Sequence, residues 1–487
     1  MGRELLVGGL VGIFAAVFAT PGLPADELEE EHDLTTAYVT PHVPWGKDLA
    51  GGPVRGLFFV TGRGGNHGSF TSLGTAPREV VELAQRFDIE PTAVFMQANV
   101  LHRGEEGEKR LLRLLEQPFE VYVFGNANYE ALPREAQYHI LERVVRQGAG
   151  LVCVGRKPER IFAVKRARRP PFALLSGLPV AALAHAEPMK EALGLTAPTS
   201  PELAARLLTP YRLGKGRGLW VNYPGGPHAL TPKMTFSFPA LTEYEYWQLF
   251  IGRAILWAAG REGEVLLTEI LGEGLTFDRS QLPSDWLPVR VQNLGPQALR
   301  LQLHFTLRRA HDGWTKRLPP AEVTVQPGQT RTPGLRLPVL RTGQYYLDVL
   351  ACSERGVEAF GAGAFQVTSP RGVERVELDQ PFAEEGETIT GTVVLRGEGF
   401  TSQHALRVQL RTSDDRVLAR QEFPRAPEGK QVRFSFPIGR WATILLRAEA
   451  VLLKDGQEVD LGEASFTVPQ RRRGQFNFIM WDRPSDL

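Results

Sequence analysis

Cysteine is scarce in this sequence: 487 residues hold only Cys153 and Cys352. That excludes a disulfide scaffold, and no Cys/His spacing matches a zinc site, so no metal ligands are expected. The two cysteines fall in different expected domains, which argues against a bond between them. Charge of one sign is also missing. Against 56 basic residues stand 55 acidic ones, a net charge of +1, without the basic excess that nucleic-acid binders carry. No nucleic-acid partner is therefore expected. The one basic cluster, Lys157, Arg160, Lys165, Arg166, Arg168 and Arg169 beside Pro170 and Pro171, lacks interleaved aromatic residues to stack bases and reads as a solvated loop. Motifs that announce chemistry are absent too. There is no calcium loop, no HExxH helix, no Gly-x-Ser-x-Gly elbow and no P-loop, and no cofactor is implied. Beyond the first residues, no apolar run is long enough to span a membrane.

What is present fits an ordinary globular chain of about three domains. Hydrophobic residues make up 43% and charged residues 23%, enough to build real cores. Residues 1–25 read as a targeting segment. Arg3 is followed by an apolar stretch from Leu5 to Ala19, then Pro21, Gly22 and Ala25 precede an acidic run from Asp26 to Glu31. This pattern predicts a signal peptide cleaved after Ala19 or Ala25 and an exported protein. The alternative is an uncleaved membrane anchor, and either one places the rest of the chain outside the cytoplasm.

Hydrophobic period then divides the chain. From residue 38 to 262, short apolar runs alternate with helical patterns. Strands are expected at Val54–Thr61, Thr92–Met96, Glu120–Phe124, Leu151–Val154 and Gly218–Tyr223. Helices are expected at Pro77–Phe87, Lys109–Leu115, Arg134–Gln147 and Leu241–Ala259, with Gly148 closing the third. Strand and helix in alternation predict an α/β, flavodoxin-like, doubly wound parallel sheet. Residues 157–215 read as an irregular excursion from it. After Gly260 the period becomes two, as in Leu299–Leu307, Gln344–Leu350 and Ala364–Val367. Two all-β, immunoglobulin-like antiparallel sandwiches are expected, at 263–369 and 370–469. The end, Phe476-Asn477-Phe478-Ile479-Met480-Trp481, reads either as the first strand of a further domain or as a tail docked on the second sandwich.

In an open parallel sheet, ligands bind beyond the carboxyl ends of the strands. The turn Gly62–Ser69 offers Arg63, Asn66, His67 and Ser69 as ligand-binding donors beside backbone that glycine leaves accessible, and a helix begins soon after. The turn after the third strand offers Asn126 and Asn128. The alternative reading of the first is that its glycines merely permit the turn.

Residues 38–260 resemble the class I glutamine amidotransferase-like fold. The order strand, Gly turn, helix, then "RQGAG" before the strand "LVCVG", carries the resemblance. The phrases "TPHVPWGKDLAGGPVRGLFF", "REVVELAQRFDIE" and "ILWAAG" are similar to exported bacterial members of that group, including the trimerisation-type domains of β-galactosidases. The resemblance implies oligomerisation or ligand binding, with a carbohydrate or a catalytic domain as partner. It also implies where a nucleophilic cysteine and a His-x-Glu pair would sit. Cys153 stands within Gly150-Leu151-Val152-Cys153-Val154-Gly155, one residue short of the family's Gly-x-Cys-x-Gly. His185-Ala186-Glu187 precedes the expected late strand, and His228 follows that strand without an acid two places on. A thiolate needs a base to form and aim it, so these four residues are weak catalytic candidates. The sandwiches show scattered tryptophans, Trp286, Trp314 and Trp441, which read as core or edge positions. The leading expectation is a non-catalytic exported module array. Alternatives are a hydrolase at the sheet's carboxyl edge and an envelope-anchored scaffold.

Overall fold

A computed structural model describes residues 42–62, 75–97, 100–157, 207–222, 230, 240–271, 275–281, 288–424, 430–439 and 444–469. The apolar segment read as a signal peptide, most of the excursion and the aromatic tail, with Trp286 and Trp441, lie outside the described residues.

The first unit is built on a seven-stranded sheet. Its elements are β1 (Val54–Gly62), α1 (Thr75–Arg86), β2 (Ile89–Gln97), β3 (Val100–Leu101), α2 (Glu105–Leu115), β4 (Val121–Gly125), α3 (Arg134–Glu142), β5 (Gly150–Val154), β6 (Leu208–Leu213), β7 (Gly216–Val221) and α4 (Ala240–Ala258). The strand order is β3-β2-β1-β4-β5-β7-β6. The five inner strands run parallel, while β3 and β6 pair antiparallel at the two edges. Side chains alternate faces along a strand, and here both faces are buried. Phe58, Val60, Val121, Val123, Val152 and Val154 point into one core with α1 and α4. Leu57, Phe59, Tyr122, Phe124, Leu151 and Cys153 point into another, with α2 and α3. That explains why these strands read as unbroken apolar runs rather than alternating ones. Gly148, at φ 94°, ends the α3 region with its N–H on Val144 O at 3.3 Å.

The second unit holds β8 (Val265–Ile270), β9 (Leu275–Asp278), β10 (Val289–Asn293), β11 (Leu299–Arg309), β12 (Thr315–Val325), β13 (Thr330–Arg331), β14 (Gly343–Ser353) and β15 (Gly356–Thr368). A three-stranded sheet, β13-β10-β8, faces a five-stranded one, β12-β11-β14-β15-β9. The third unit holds β16 (Gly372–Leu378), β17 (Thr388–Arg396), β18 (His404–Thr412), β19 (Val417–Phe423), β20 (Gln431–Pro437), β21 (Leu445–Lys454) and β22 (Gln457–Thr467), in sheets β16-β17-β20 and β19-β18-β21-β22.

The expected fold class needs correction. Among the described residues the chain is predominantly strand, with four α-helices against twenty-two strands in five separate sheets. The first sheet is mixed rather than parallel, so the flavodoxin-like assignment does not stand. Within the supposed irregular excursion, β6 folds back through a tight turn at Gly214 (φ 61°) to pair with β7. Nor is the second unit purely antiparallel, because β9 runs parallel to β15. The physical source of these departures is the sheet edge. β3 has only two residues, and β6, though largely buried, is interrupted by Pro210 and Arg212, so hydrophobic period marks both weakly.

The first two units share a core. In β14, Tyr345, Leu347, Val349 and Ala351 fill the second unit's interior, while Tyr346 faces the first unit. Val357, Phe360 and Ala362 of β15 join Trp45, Phe87, Tyr246 and Phe250 in the first unit's core. Rings meet across the seam, Tyr246 with Tyr346 at 4.5 Å and Phe87 with Phe360 at 5.5 Å between centroids.

Candidate functional site

The order of the parallel strands reverses between β1 and β4, and such a reversal leaves a crevice beyond the strand ends. The β4 side of that crevice is described. Asn126 occupies the left-handed region at φ 54° and donates its N–H to Val154 O at 2.9 Å. Asparagine tolerates this conformation where most side chains do not. The Asn128 carboxamide oxygen accepts the Glu130 N–H at 3.2 Å, capping the short 3-10 turn Tyr129–Ala131. Both asparagines are half-buried, and their backbone geometry serves the turn. Tyr129 is buried against Phe124, and its hydroxyl donates to Gln137 O at 2.7 Å.

Cys153 lies inside β5, paired with Phe124 on one side and Trp220 on the other, and is fully buried. Burial pushes its thiol well above the ordinary value, and the nearby Glu130 carboxylate pushes it further. A nucleophile needs the opposite shift and access to substrate, so no thiolate is available there. Next along the edge, the Trp220 indole N–H donates to Gly155 O at 3.0 Å, and the Lys157 ammonium stands 5.3 Å from the Trp220 ring centroid. Arg63, Asn66, His67 and Ser69 lie outside the described residues, as do His185, Glu187 and His228. Among the described residues no group of His, Cys, Asp or Glu is arranged to hold a metal ion. What the described edge supplies is amide, ammonium and indole groups, which suit hydrogen bonding and stacking.

The strongest polar constellations lie elsewhere, at the seam with the second unit. Arg86 is 2% exposed on its side chain and pairs with Glu82 and Glu245 at 2.6 Å each. Glu245 also accepts from the Trp45 indole at 2.8 Å and from Val43 N at 3.2 Å. Burial alone would lower the arginine's pKa, yet the two carboxylates overcome it and raise it. Beside them the buried Asp348 accepts from the Tyr246 hydroxyl at 2.9 Å and from Arg308 at 3.2 Å. Burial outweighs these contacts and lifts its carboxyl to about 6. Sequence reading missed both clusters. The signal for the first was Glu245 within the largely aromatic and apolar "YEYWQLF" of α4, since a buried charge demands a partner.

No protein-family model matches the sequence, and a search of curated proteins finds no match. Among solved structures, red sea bream transglutaminase is similar over 62% of this chain at 14% identity, with a TM-score of 0.22. The chain spans 45% of that protein's length, and a likeness this slight defines neither a common fold nor a common activity. No described helix is long and apolar enough to cross a membrane.

Proposed function

We propose that the chain is a non-catalytic, exported module array. Its first unit binds a ligand or a second copy of the chain, and its two β units act as spacers within a carbohydrate-active system. The observation that carries this reading is Cys153, which is sealed in the middle of a strand with its thiol held protonated. The amidotransferase-like resemblance would need that group as an exposed thiolate. The polar edge built from Asn126, Asn128, Trp220 and Lys157 supports binding rather than bond cleavage.

The test is direct. Purified chain is assayed with glutamine and with a panel of aryl glycosides, and its mass is followed by sedimentation across a concentration series. The expectation is no turnover, whether Cys153 is present or changed to Ala. Robust turnover that Cys153→Ala abolishes would overturn the reading. Export is checked separately by fractionating cells that express the full-length gene.

A further inference from the structure

We propose that the junction between the two β-sandwiches binds a carboxylated saccharide, a uronate, with arginines receiving the carboxylate and Trp314 receiving the sugar ring. This goes beyond the spacer role assigned to the sandwiches above.

A cavity of about 480 Å³ opens where the β21–β22 hairpin of the third unit meets the end of the second. That volume lies in the range of small-molecule sites. Arg279, Arg309, Trp314, Arg341, Tyr345 and Glu458 line it. Arg309 and Arg341 also line a neighbouring cavity of about 530 Å³, so they form the wall between the two.

Buried arginines often serve only to hold domains together, and part of this cluster does that. Arg309 grips Asp312 with both arms, at 2.9 and 2.6 Å. Arg341 reaches Asp312 at 3.3 Å and Glu458 at 3.7 Å, and Arg407 takes the other oxygen of Glu458 at 2.9 Å. The charges do not balance, however. Four guanidinium groups, those of Arg279, Arg309, Arg341 and Arg407, stand beside the carboxylates of Asp312 and Glu458, with Glu463 acting on Arg341 from the neighbouring cavity. Arg279 donates to two backbone carbonyls, Leu340 O at 2.9 Å and Glu458 O at 3.1 Å, which orient the side chain without neutralising it. The side chain of Arg341 is 6% exposed, yet its Nε is buried with no hydrogen-bond partner. An unpaired buried donor is costly. Burial and then the neighbouring Arg309 charge depress the Arg341 guanidinium more than Asp312 and Glu458 raise it, and an anion in the cavity offsets the repulsion between the two arginines.

The remaining lining selects among anions. The planar guanidinium fork matches a carboxylate. Trp314 is 36% exposed, with the Arg309 guanidinium 5.1 Å from its ring centroid, and Val339 at the rim is 60% exposed. An inorganic anion leaves these apolar groups wet. A pyranose ring with a carboxylate at one corner covers them with its C–H face.

The full chain is titrated by calorimetry with sodium glucuronate, glucose and sodium sulfate in turn. Saturable glucuronate binding is expected, with glucose silent and sulfate weaker. Arg279→Gln removes one charge-assisted contact and should weaken glucuronate at least about tenfold. Trp314→Ala, at a partly exposed position, should do the same while leaving the thermal transitions in place. The proposal is overturned if glucuronate gives no saturable heat, if glucose or sulfate binds as tightly, or if both variants bind glucuronate like the parent.

Discussion

The Arg86–Glu245 pair gives the sharpest test of how α1, α4 and the lead-in at Val43–Trp45 are held together in the first unit. Glu245→Ala removes a carboxylate that receives four hydrogen bonds, two from Arg86 and one each from Trp45 and Val43. The guanidinium, 2% exposed, would keep only Glu82. Stripping one partner from a buried pair costs about 3–5 kcal/mol, because the other charge is stranded in a poor solvent. At about 2–4 °C per kcal/mol for a unit of this size, the transition of the first unit should fall by roughly 6–20 °C. The assay is differential scanning calorimetry, which separates that transition from the third unit's. The control is the double variant Arg86→Met with Glu245→Leu, which removes both charges and leaves Glu82 paired with Arg78 at 2.8 Å. It should cost about 2–3 kcal/mol less than the two single changes summed. If Glu245→Ala shifts the transition by less than 2 °C, or if the double variant is additive, the buried pair does not hold the first unit together.

Other perturbations reach different parts of the molecule. Asp348 has its carboxyl raised to about 6 by burial, so the folded state binds its proton more tightly than the unfolded chain does. Its contribution is therefore fully present below the unfolded value and is lost as pH rises through 6. Urea unfolding of the parent should show that loss between pH 4 and 6, and Asp348→Asn should flatten it; an unchanged slope would count against the assignment. Thiol labelling of the native protein at pH 8 should spare the fully buried Cys153 and modify only Cys352, both reacting after unfolding; mass spectrometry of the labelled peptides decides it. Gly252→Ala in α4 gains about 1 kcal/mol of helix propensity, but the new Cβ would lie 2.2 Å from the Phe87 ring. Overpacking costs about 1–3 kcal/mol, so the net effect should be destabilising, and Phe87→Leu should reverse part of it in chemical denaturation.

The elements that the sequence marks clearly are those whose burial follows one regular pattern along their length. Val54–Gly62 and Gly150–Val154 are apolar on both faces because the sheet is covered on both, and Leu299–Arg309 alternates because only one face is buried. Edge strands escaped notice for identifiable reasons. In β12, Pro319-Pro320 breaks the strand pattern, and an edge strand tolerates proline because its outer N–H groups pair with nothing. In β19, no residue is buried, so no hydrophobic period exists to be read. In the first sheet the strands that escaped notice are β3 and β6, and their antiparallel pairing at its two edges is what overturned the parallel, doubly wound expectation. At the candidate site, Asn126 and Asn128 could be placed after β4 from the strand pattern alone. The sequence did not say that their backbone is committed to the turn, because that depends on contacts with Val154 and Glu130. Trp314 shows the same limit. As one of several scattered tryptophans it looked structural, and only the approach of the β21–β22 hairpin gives it a cavity to line.

One consequence follows for how such a chain could have been assembled by gene fusion. β14 and β15 belong to two cores at once, with Tyr345 and Leu347 turned one way and Tyr346 and Phe360 the other. A recombination point placed near residue 262 would hand each descendant half of an apolar seam and strand Glu245 and Asp348 near water. The heritable piece is therefore the first sheet together with the sandwich behind it. The third unit, joined through a polar, arginine-rich junction, is the part that evolution could exchange without dismantling a core.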